Sequence, residues 1–346
     1  MRGGADWLRG KGAHGDVVIS SRARLARNLT GYPFLCRATT EQRLRVLERV
    51  RAAAADAELA ERTAWMDVHR LATVDRTLLV ERHLISKEHA KGEEPRAAII
   101  SLPDERVSVM VNEEDHLRVQ VLRSGLALDE AWAQIDDLDD RLESRLDYAY
   151  SARFGYLTAC PTNVGTGLRM SVMLHLPGLR LTGEMEKVKR ATKDMSLAVR
   201  GYYGEGSEAT GDFYQISNQT TLGKTESVIL HELAAEILPQ VIEYERTARR
   251  LLIERRRRHL EDQVFRALGV LRSARMITPE ETLGHLSMVR LGVLTGLIAD
   301  VAESTVNQLV ILIQPAHLQR VLGRELDQQE RREARADLLR QRLGPC

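Results

Sequence analysis

The feature that most constrains this sequence is a change of pattern near residue 225. Before it, short apolar runs alternate with helix-forming stretches, whereas residues 226–258 form one amphipathic, strongly helix-forming stretch. Further helical patterns follow at 260–274, 278–286, 299–313 and 326–343. Mixed strands and helices followed by helices alone indicate an α+β fold class with a separate helical part. We therefore predict an α+β domain over residues 1–245 and a helical domain over residues 246–346.

Periodicity predicts individual elements in the first part. Alternating apolar residues predict strands at 73–80, 97–102 and 106–112, with β-rich pieces at 17–20, 155–160 and 212–217. Helix-forming composition predicts helices at 40–62, 128–147 and 184–200.

Composition bounds the class of protein. With 346 residues, 43% hydrophobic and 29% charged, the chain is typical of a globular protein. No apolar run approaches the roughly 20 residues of a membrane span, and the N-terminus lacks a secretory signal, so we expect a cytoplasmic protein. Its three cysteines argue against a disulfide framework. A net charge of +1 gives no reason to expect nucleic-acid binding.

Two apparent motifs fail on spacing. Gly223-Lys224-Thr225 resembles the end of a phosphate-binding loop, but that loop needs a glycine where Asn218 stands. His231 and Glu232 begin like a zinc-protease helix, but the second histidine is missing. We therefore predict neither a Walker loop nor a protein-held metal site.

Arginines in extended or loop segments suggest another way to bind phosphate. The guanidinium fork matches phosphate oxygens, and phosphoryl transfer requires positive charge and alignment more than covalent help. Arg22 and Arg24 are two residues apart in an extended segment and should share one face. Arg118 and Arg169 follow polar or glycine-rich segments, and Arg200 begins the glycine-containing segment RGYYGEGSE. Taken singly, each is more often a solvated surface arginine.

Four segments carry a resemblance to a known family. SSRARLARN, VNEEDHLR, CPTNVGTGLR and VRGYYGEGSE occur in this order and resemble the phosphagen (guanidino) kinase family, which includes creatine and arginine kinases. The resemblance covers roughly residues 16–245. It implies a glutamine-synthetase-like antiparallel sheet flanked by helices. It also implies ATP as phosphoryl donor, with Mg²⁺ held mainly through the nucleotide.

The resemblance implies nucleotide contacts from the SSRAR segment, one histidine, the motif arginines and their neighbours. The positions are Ser20, Ser21, Arg22, Ala23, Arg24, His83, Arg118, Arg169, Met170, Ser171, Val172, Met173, Arg200, Gly201, Tyr202, Tyr203 and Gly204.

The resemblance also implies a site for the guanidinium acceptor. Glu114 and Glu205 resemble the paired carboxylates that grip this group, and Cys160 resembles a reactive cysteine beside its nitrogens. Two carboxylates can orient the planar group, and one can accept the departing proton. We expect Glu114 to be the base and Glu205 to orient the acceptor. The alternatives are an exposed acidic loop for Glu114 and a buried small hydrophobe for Cys160.

The substrate class depends on the ends of the chain. Small-guanidine kinases carry a helical N-terminal domain before SSRAR, which begins here at Ser20, so we expect that domain to be absent. The C-terminal helical region instead resembles bacterial protein arginine kinases of the McsB type. So do the segments HLIS, GEGSEATG and QISNQTTLGKTE. We therefore predict a protein arginine kinase, with a kinase of free L-arginine or another small guanidine as the alternative.

A C-terminal motif departs from this group. Arg331 and Arg335 match its R-D-x-x-R-A motif, which implies a regulatory phosphoarginine pocket, but Arg332 replaces the aspartate. A solvated helix face is the alternative. Tyr203 stands where small-guanidine kinases often have arginine.

The resemblance extends to biological setting. It implies a homodimer in bacterial stress response and protein quality control, where phosphoarginine marks proteins for a Clp-type protease. A zinc-binding activator protein is typical of that setting. A third hypothesis is a non-catalytic adaptor that binds phosphoarginine.

Overall fold

The computed structural model describes Trp7, Gly10 and residues 12–201 and 210–344. Its strands are β1 (Val18–Arg27), β2 (Thr63–Met66), β3 (Ala97–Ser101), β4 (Val107–Val111), β5 (Leu117–Ser124), β6 (Tyr150–Ser151), β7 (Gly155–Tyr156), β8 (Leu168–His175), β9 (Leu197–Gly201) and β10 (Phe213–Asn218).

The helices are α1 (Thr40–Asp56), α2 (Thr73–Glu81), α3 (Lys87–Lys91), α4 (Leu128–Glu143), α5 (Pro177–Thr182), α6 (Met185–Asp194), α7 (Glu226–His231), α8 (Leu238–Ser273), α9 (Pro279–Leu294), α10 (Glu303–Leu312), α11 (Pro315–Leu322) and α12 (Gln328–Leu343). A π-helical segment, Glu232–Ile237, lies between α7 and α8.

Eight strands form one sheet in the order β2-β3-β4-β5-β1-β8-β10-β9, and β6 pairs separately with β7. The pairs β2–β3, β3–β4, β4–β5 and β1–β5 are antiparallel. Because successive strand residues point to opposite faces, the register decides which side chains meet. Val119 on β5 lies opposite Leu25 on β1 and opposite Val109 on β4. These three apolar side chains therefore form a row across one face of the sheet.

Contacts divide the chain into two compact units, each discontinuous in sequence. The first comprises residues 1–7, 20–172 and 217–236; the second comprises residues 8–19, 173–216 and 237–346. In the first unit, α4 packs on β5 through its buried face, including Ile135, Leu138 and Leu142. The second unit has a helical core in which α8 packs on α9 and α12. The sequence analysis predicted two continuous domains that meet at residue 245. That division differs from these two discontinuous units, and it stays a prediction.

The predicted fold class, an antiparallel sheet flanked by helices with a helical C-terminal region, is confirmed. The strands expected at 97–102, 106–112 and 212–217 appear as β3, β4 and β10, and the helix expected at 128–147 appears as α4. Within the described residues, none of the helices combines the length and apolar composition needed to cross a bilayer.

Three predictions of local structure were wrong. Residues 73–80 form α2 instead of a strand, because a short apolar run does not distinguish a period of 2 from 3.6. The helix expected over 184–200 ends at Asp194, and Ser196, with φ 57°, turns the chain into β9. The helix expected over 40–62 ends at Asp56; Glu58, with φ 46°, precedes β2. Left-handed backbone at both sites interrupts helical geometry.

The strand expected at 155–160 is shorter than predicted. It ends at Tyr156, and Cys160 precedes a 3₁₀ turn over Pro161–Asn163. The helical stretch predicted at 226–258 is helical in the structure. It consists of α7, the π-helical segment and α8, and it continues to Ser273.

Candidate active site

One face of the first unit's sheet brings together arginines from separate strands. Arg22 and Arg24 alternate on β1, as expected from their spacing. Arg24 lies opposite Gln120, and Ala26 lies opposite Arg118, so Arg118 on β5 shares their face. Arg22 Nε donates to Ser171 Oγ at 3.3 Å, which places Ser171 and its alternate neighbour Arg169 on the same face.

These four residues, Arg22, Arg24, Arg118 and Arg169, are called the arginine cluster below. Burial, reinforced by the like charges of the other three, lowers the pKa of Arg24 well below its usual range. The carboxylate of Glu113 offsets part of this repulsion. Arg24 Nε is buried and has no hydrogen-bond partner within the described chain. Such concentrated positive charge is stabilised by an anion with several oxygens.

Glu113 is a site residue that the sequence analysis missed. Its Oε2 accepts from Arg118 Nη1 at 2.6 Å and from the Glu114 backbone N–H at 2.9 Å. Its Oε1 accepts from Ser86 Oγ at 2.5 Å. The Arg118 charge lowers the pKa of Glu113 against the opposing effect of burial, and the carboxylate is therefore ionised. Only its position directly before Glu114 in the motif could have singled it out.

His83 lies beside the arginine cluster. Burial, followed by the charges of Arg22 and Lys87, lowers the pKa of His83 to about 3. The ring is therefore neutral at physiological pH. It meets the Trp7 indole edge to face, with 5.1 Å between ring centroids, and its backbone oxygen accepts from Gln120 Nε2 at 2.6 Å.

Other predicted nucleotide positions lie away from this face. Ser21 is fully buried; its hydroxyl donates to Gly125 O at 2.8 Å and accepts from the Ala127 N–H at 3.0 Å. Ala23 alternates with the arginines and is also fully buried. On β8, Met170 and Val172 are buried on the face opposite Ser171. Any nucleotide contact from these four residues would use backbone atoms. Ser20, also buried, precedes Ser21 on β1.

The second unit contains three further predicted positions. Met173 is buried on β8, and Arg200 and Gly201 lie at the end of β9. Tyr202, Tyr203, Gly204 and Glu205 lie outside the described residues.

The predicted acceptor residues Glu114 and Cys160 lie in two loops that are hydrogen-bonded to each other. Asp115 Oδ1 accepts from the Ala159 N–H at 2.7 Å and from Asn28 Nδ2 at 2.6 Å. Asp115 directly follows Glu114, and Ala159 directly precedes Cys160. A buried Asp115 therefore holds the acidic loop against the cysteine loop, a positioning role that the sequence analysis did not assign.

His116 fixes the far side of the acidic loop. Its Nδ1 accepts from the Leu29 N–H at 2.9 Å, so Nε2 carries the proton and donates to Pro33 O at 3.1 Å. The backbone N–H of His116 donates to Asn28 Oδ1 at 3.0 Å. Burial lowers the pKa of His116 to about 4.

The glycine-rich loop after Cys160 owes its path to close backbone approaches. Gly165 has φ 113°, and a side chain there would collide with the Thr221 carbonyl. Gly167 has φ 67°, and a Cβ would lie 2.7 Å from Ala26 O. The Thr221 hydroxyl contacts Thr162 O at 2.9 Å and Val164 O at 2.7 Å. The GTG sequence is thus needed to pack this loop against its neighbours.

Cys160 is partly exposed, and its Sγ lies 3.0 Å from Thr162 Oγ1. The alternative of a buried small hydrophobe does not describe this environment. Glu114 is exposed at the tip of its loop.

The predicted phosphoarginine residues lie on α12 of the second unit. Arg335 is 1% exposed; Nε donates to Ile313 O at 2.7 Å, and Nη1 donates to Ile277 O at 2.9 Å. Arg331 is partly exposed and donates to Leu326 O at 2.5 Å. Arg335 therefore ties α12 to two other segments. A phosphate could bind it only by competing with these carbonyls, and the pocket stays a prediction.

No group of three or more histidine, cysteine or acidic side chains suited to a metal occurs in the described ranges. The donor set of the site, guanidinium groups with one ionised carboxylate, fits a nucleotide's phosphates better than a bare cation.

Two family models match the sequence. The C-terminal catalytic domain of ATP:guanido phosphotransferases matches residues 45–248, and the C-terminal domain of protein-arginine kinase McsB matches residues 257–346. The protein-arginine kinase of Symbiobacterium thermophilum is 48% identical over 98% of this chain and 96% of its own length. The protein-arginine kinase of Halothermothrix orenii is 47% identical over 98% of this chain and 96% of its own length.

Solved structures are similar in fold. The duplicated taurocyamine kinase of Schistosoma mansoni, with bound transition state analog components, has a TM-score of 0.60 at 26% identity. The similarity covers 67% of this chain and 33% of that one. Lombricine kinase has a TM-score of 0.58 at 24% identity, covering 69% of this chain and 68% of its own, and is similar in fold alone.

Proposed function

This chain belongs to the ATP:guanido phosphotransferase family, and we propose that it transfers the γ-phosphoryl group of ATP to the guanidinium of arginine residues in proteins. The observation that carries the proposal is the arginine cluster. Four guanidinium groups share one sheet face beside an acidic loop and a cysteine loop that are hydrogen-bonded together. The arginine cluster, Glu114 and Cys160, which we propose bind the phosphates and the acceptor, all belong to the first unit.

The cluster would neutralise the triphosphate and align its terminal phosphoryl group. Arg22 and Arg24 approach from β1, and Arg118 from β5, so their planar forks converge from different strands. Electrostatic stabilisation and alignment supply most of the acceleration in phosphoryl transfer. Glu113 keeps Arg118 oriented, and neutral His83 adds no further charge.

Glu114 would act as the general base. The attacking guanidinium nitrogen forms a bond to the γ-phosphorus, the bond to the bridging oxygen of ADP breaks, and the nitrogen loses a proton to Glu114. Cys160 would face the acceptor nitrogens, and Glu205 would orient the group. These roles follow from the motifs, and their support is the bonding of the two loops through Asp115.

Mg²⁺ would enter with ATP and be held through phosphate oxygens, supplying charge neutralisation at the β- and γ-phosphates. The ionised Glu113 forms an ion pair with Arg118 of the cluster and could contact the water shell of Mg²⁺. Ser20 and Ser171, with the backbone of β1 and β8, would complete the nucleotide site.

Protein arginine is favoured over free arginine by both parts of the chain. Relatives matched along nearly their whole length are named protein-arginine kinases, whereas the small-guanidine kinases share about a quarter of their residues. A match to the McsB C-terminal domain covers residues 257–346. We further propose a cytoplasmic homodimer that marks proteins for a Clp-type protease, with a zinc-binding activator, and phosphoarginine binding at Arg331 and Arg335.

The test is a phosphorylation assay with Mg²⁺ and ATP labelled in the γ-phosphoryl group. An unfolded arginine-rich protein and free L-arginine are offered separately, and acid-labile label is measured. Glu114→Gln is compared with Glu48→Gln, which changes an exposed carboxylate on α1.

Acid-labile label on the protein, lost in Glu114→Gln and retained in Glu48→Gln, is the expected result. Label on free arginine alone would make the chain a small-guanidine kinase. The assay is repeated with a zinc-binding activator added. If neither tube then contains label and the chain binds phosphoarginine, the adaptor hypothesis is supported and the proposal is overturned.

A further inference from the structure

A surface of the first unit combines exposed aromatic rings with carboxylates. Tyr150 and Phe154, on the β6–β7 hairpin, are 61% and 44% exposed. Tyr150 meets Tyr156 at 5.4 Å between ring centroids, and Tyr156 donates its hydroxyl to Glu143 at 3.2 Å. The hairpin thereby adjoins the solvent face of α4. Exposed large apolar side chains grouped in this way mark interaction sites more often than isolated ones do.

The carboxylates on this surface lie outside the ion pairs of the described chain, although the Arg27 charge acts on Asp136. Asp136, Asp140 and Glu143 are exposed and follow one another at helical spacing on α4, so they share a face. Glu226, at the start of α7, lies close enough to Asp136 to affect its titration. None of these four forms an ion pair within the described parts of the chain, although α4 also contains the paired residues Asp137 and Asp139. We call Asp136, Asp140, Glu143, Glu226, Tyr150 and Phe154 the acidic-aromatic surface.

The like charges also bear on the protonation of this surface. Burial, followed by repulsion from Asp140 and Glu226, raises the pKa of Asp136 above its usual range. A cation bound here would relieve this repulsion. The geometry therefore favours a positively charged occupant.

Aromatic rings in this hairpin already bind guanidinium groups of the chain itself. The Arg153 guanidinium carbon lies 5.0 Å from the Phe154 ring centroid, and that of Arg27 lies 3.5 Å from the Tyr156 centroid. Guanidinium groups stack on such faces through cation–π attraction. Carboxylates and stacked rings together are the side chains that recognise arginine.

The acidic-aromatic surface adjoins the cysteine loop. The Tyr156 N–H donates to Gly165 O at 2.8 Å, and the Gly165 N–H donates back to Tyr156 O at 3.3 Å. Gly165 belongs to the loop that begins at Cys160. A polypeptide whose target arginine lies at Cys160 would therefore pass near the hairpin, since an extended chain advances about 3.3 Å per residue.

We propose that the acidic-aromatic surface docks the extended, arginine-rich segment that flanks the target arginine in a protein substrate. This inference rests on the proposed function. It predicts that the surface contributes to KM for long cationic substrates, has little effect on kcat, and does not affect a substrate too short to reach it. Unfolded chains suit the surface best, because they expose both charge and apolar groups.

The test compares two triple variants with equal charge changes. Asp136→Asn/Asp140→Asn/Glu143→Gln alters the surface, and Glu254→Gln/Glu280→Gln/Glu325→Gln removes three exposed carboxylates from the second unit. Each raises the formal net charge from +1 to +4, since three negative charges are lost. The probes are protamine, an unfolded arginine-rich polypeptide, and a blocked tripeptide with one central arginine.

For the surface variant we expect KM for protamine to rise about tenfold at low ionic strength, with kcat within about twofold of wild type. The tripeptide KM should not change, the control variant should match wild type, and added salt should shrink the difference. The double variant Tyr150→Ser/Phe154→Ser should raise the protamine KM about fivefold. Its control, Leu44→Ser/Phe265→Ser, should leave this KM unchanged.

Anisotropy of fluorescein-labelled protamine, titrated without ATP, separates docking from catalysis. Weaker binding by the surface variant alone supports the docking site even if no variant phosphorylates either probe with the zinc-binding activator present, a result that would overturn only the proposed function. Equal protamine affinities and KM values for the surface and control variants, with wild type active, would overturn the docking site and leave the proposed function intact.

Discussion

Arginines are buried in both units, yet they bond differently. In the second unit, Arg290 is 1% exposed, and its Nη2 donates to Gly15 O at 2.7 Å and Glu303 Oε1 at 2.8 Å. Its Nε donates to Asn307 Oδ1 at 3.1 Å. In the arginine cluster of the first unit, Arg24 faces three other guanidinium groups and has a buried Nε without a partner in the described chain.

This difference separates a structural arginine from a ligand-binding one. Burial lowers the pKa of both Arg290 and Arg24, to about 10 for Arg290, where the Glu303 charge opposes the shift. For Arg24 three like charges add to the effect of burial and one carboxylate opposes it, whereas Arg290 is repelled by Arg249 alone and attracted by two carboxylates. Donors that end on carbonyls and carboxylates join chain segments, whereas positive charge that accumulates around a buried donor attracts an anion.

The largest expected effect tests the anion-binding half of this comparison. Arg24→Met should lower kcat/KM for ATP about 1,000-fold, because a guanidinium beside the transferring phosphoryl is removed. Unfolding stability should stay the same or rise, since the substitution relieves repulsion. Steady-state kinetics and urea unfolding measure the two quantities. A loss of several kcal/mol in stability would instead make Arg24 structural.

The same substitution in the second unit should have the opposite outcome. Arg290→Met leaves the Gly15 carbonyl and Glu303 without their donor and should cost about 3 kcal/mol of unfolding free energy. Activity per folded molecule should change little. Urea unfolding followed by activity measurement at equal folded concentration checks this. A stable but inactive Arg290→Met would break the comparison.

A smaller effect concerns His116, whose two ring nitrogens both bond to backbone groups. Its pKa of about 4 lies below the unfolded value near 6.5, so between these values the unfolded state binds more protons. Stability is therefore lost as pH falls from 6.5 towards 4. From pH 7 to pH 5 the contribution of His116 is about 2 kcal/mol.

His116→Gln should unfold with a pH dependence weaker by about that amount. Urea unfolding at pH 7 and pH 5 measures it, and His259→Gln, which alters an exposed histidine, is the control. Identical pH slopes for His116→Gln and wild type would exclude the backbone-bonded neutral ring as the source.

The smallest expected effect distinguishes geometry from charge in the arginine cluster. Arg22→Lys keeps the charge but loses the planar fork and the Nε bond to Ser171. KM for ATP should rise about tenfold while protein stability is unchanged. Initial rates over a range of ATP concentrations test this. An unchanged KM would mean that Arg22 contributes only positive charge.

Much of the site was accessible from the sequence because its chemistry lies in short motifs. Strand alternation placed Arg22 and Arg24 on one face, and the motifs singled out Arg118 and Arg169, which the structure brings to that face. Glu113 was missed, because adjacent acidic residues in a loop do not reveal which one reaches Arg118. Ser21 and Val172 lie in the motifs but face away from the cluster.

The sequence by itself determined the α+β class, the long helical C-terminal stretch and the types of residue in the site, because these depend on periodicity and short motifs. Only the tertiary structure decided that residues 73–81 are helical and that Asp115 joins two distant loops. It alone decided that Arg335 bonds to carbonyls while Arg24 faces other charges. The physical reason is that a side chain's role depends on its burial and partners, and those partners come from segments far away along the chain.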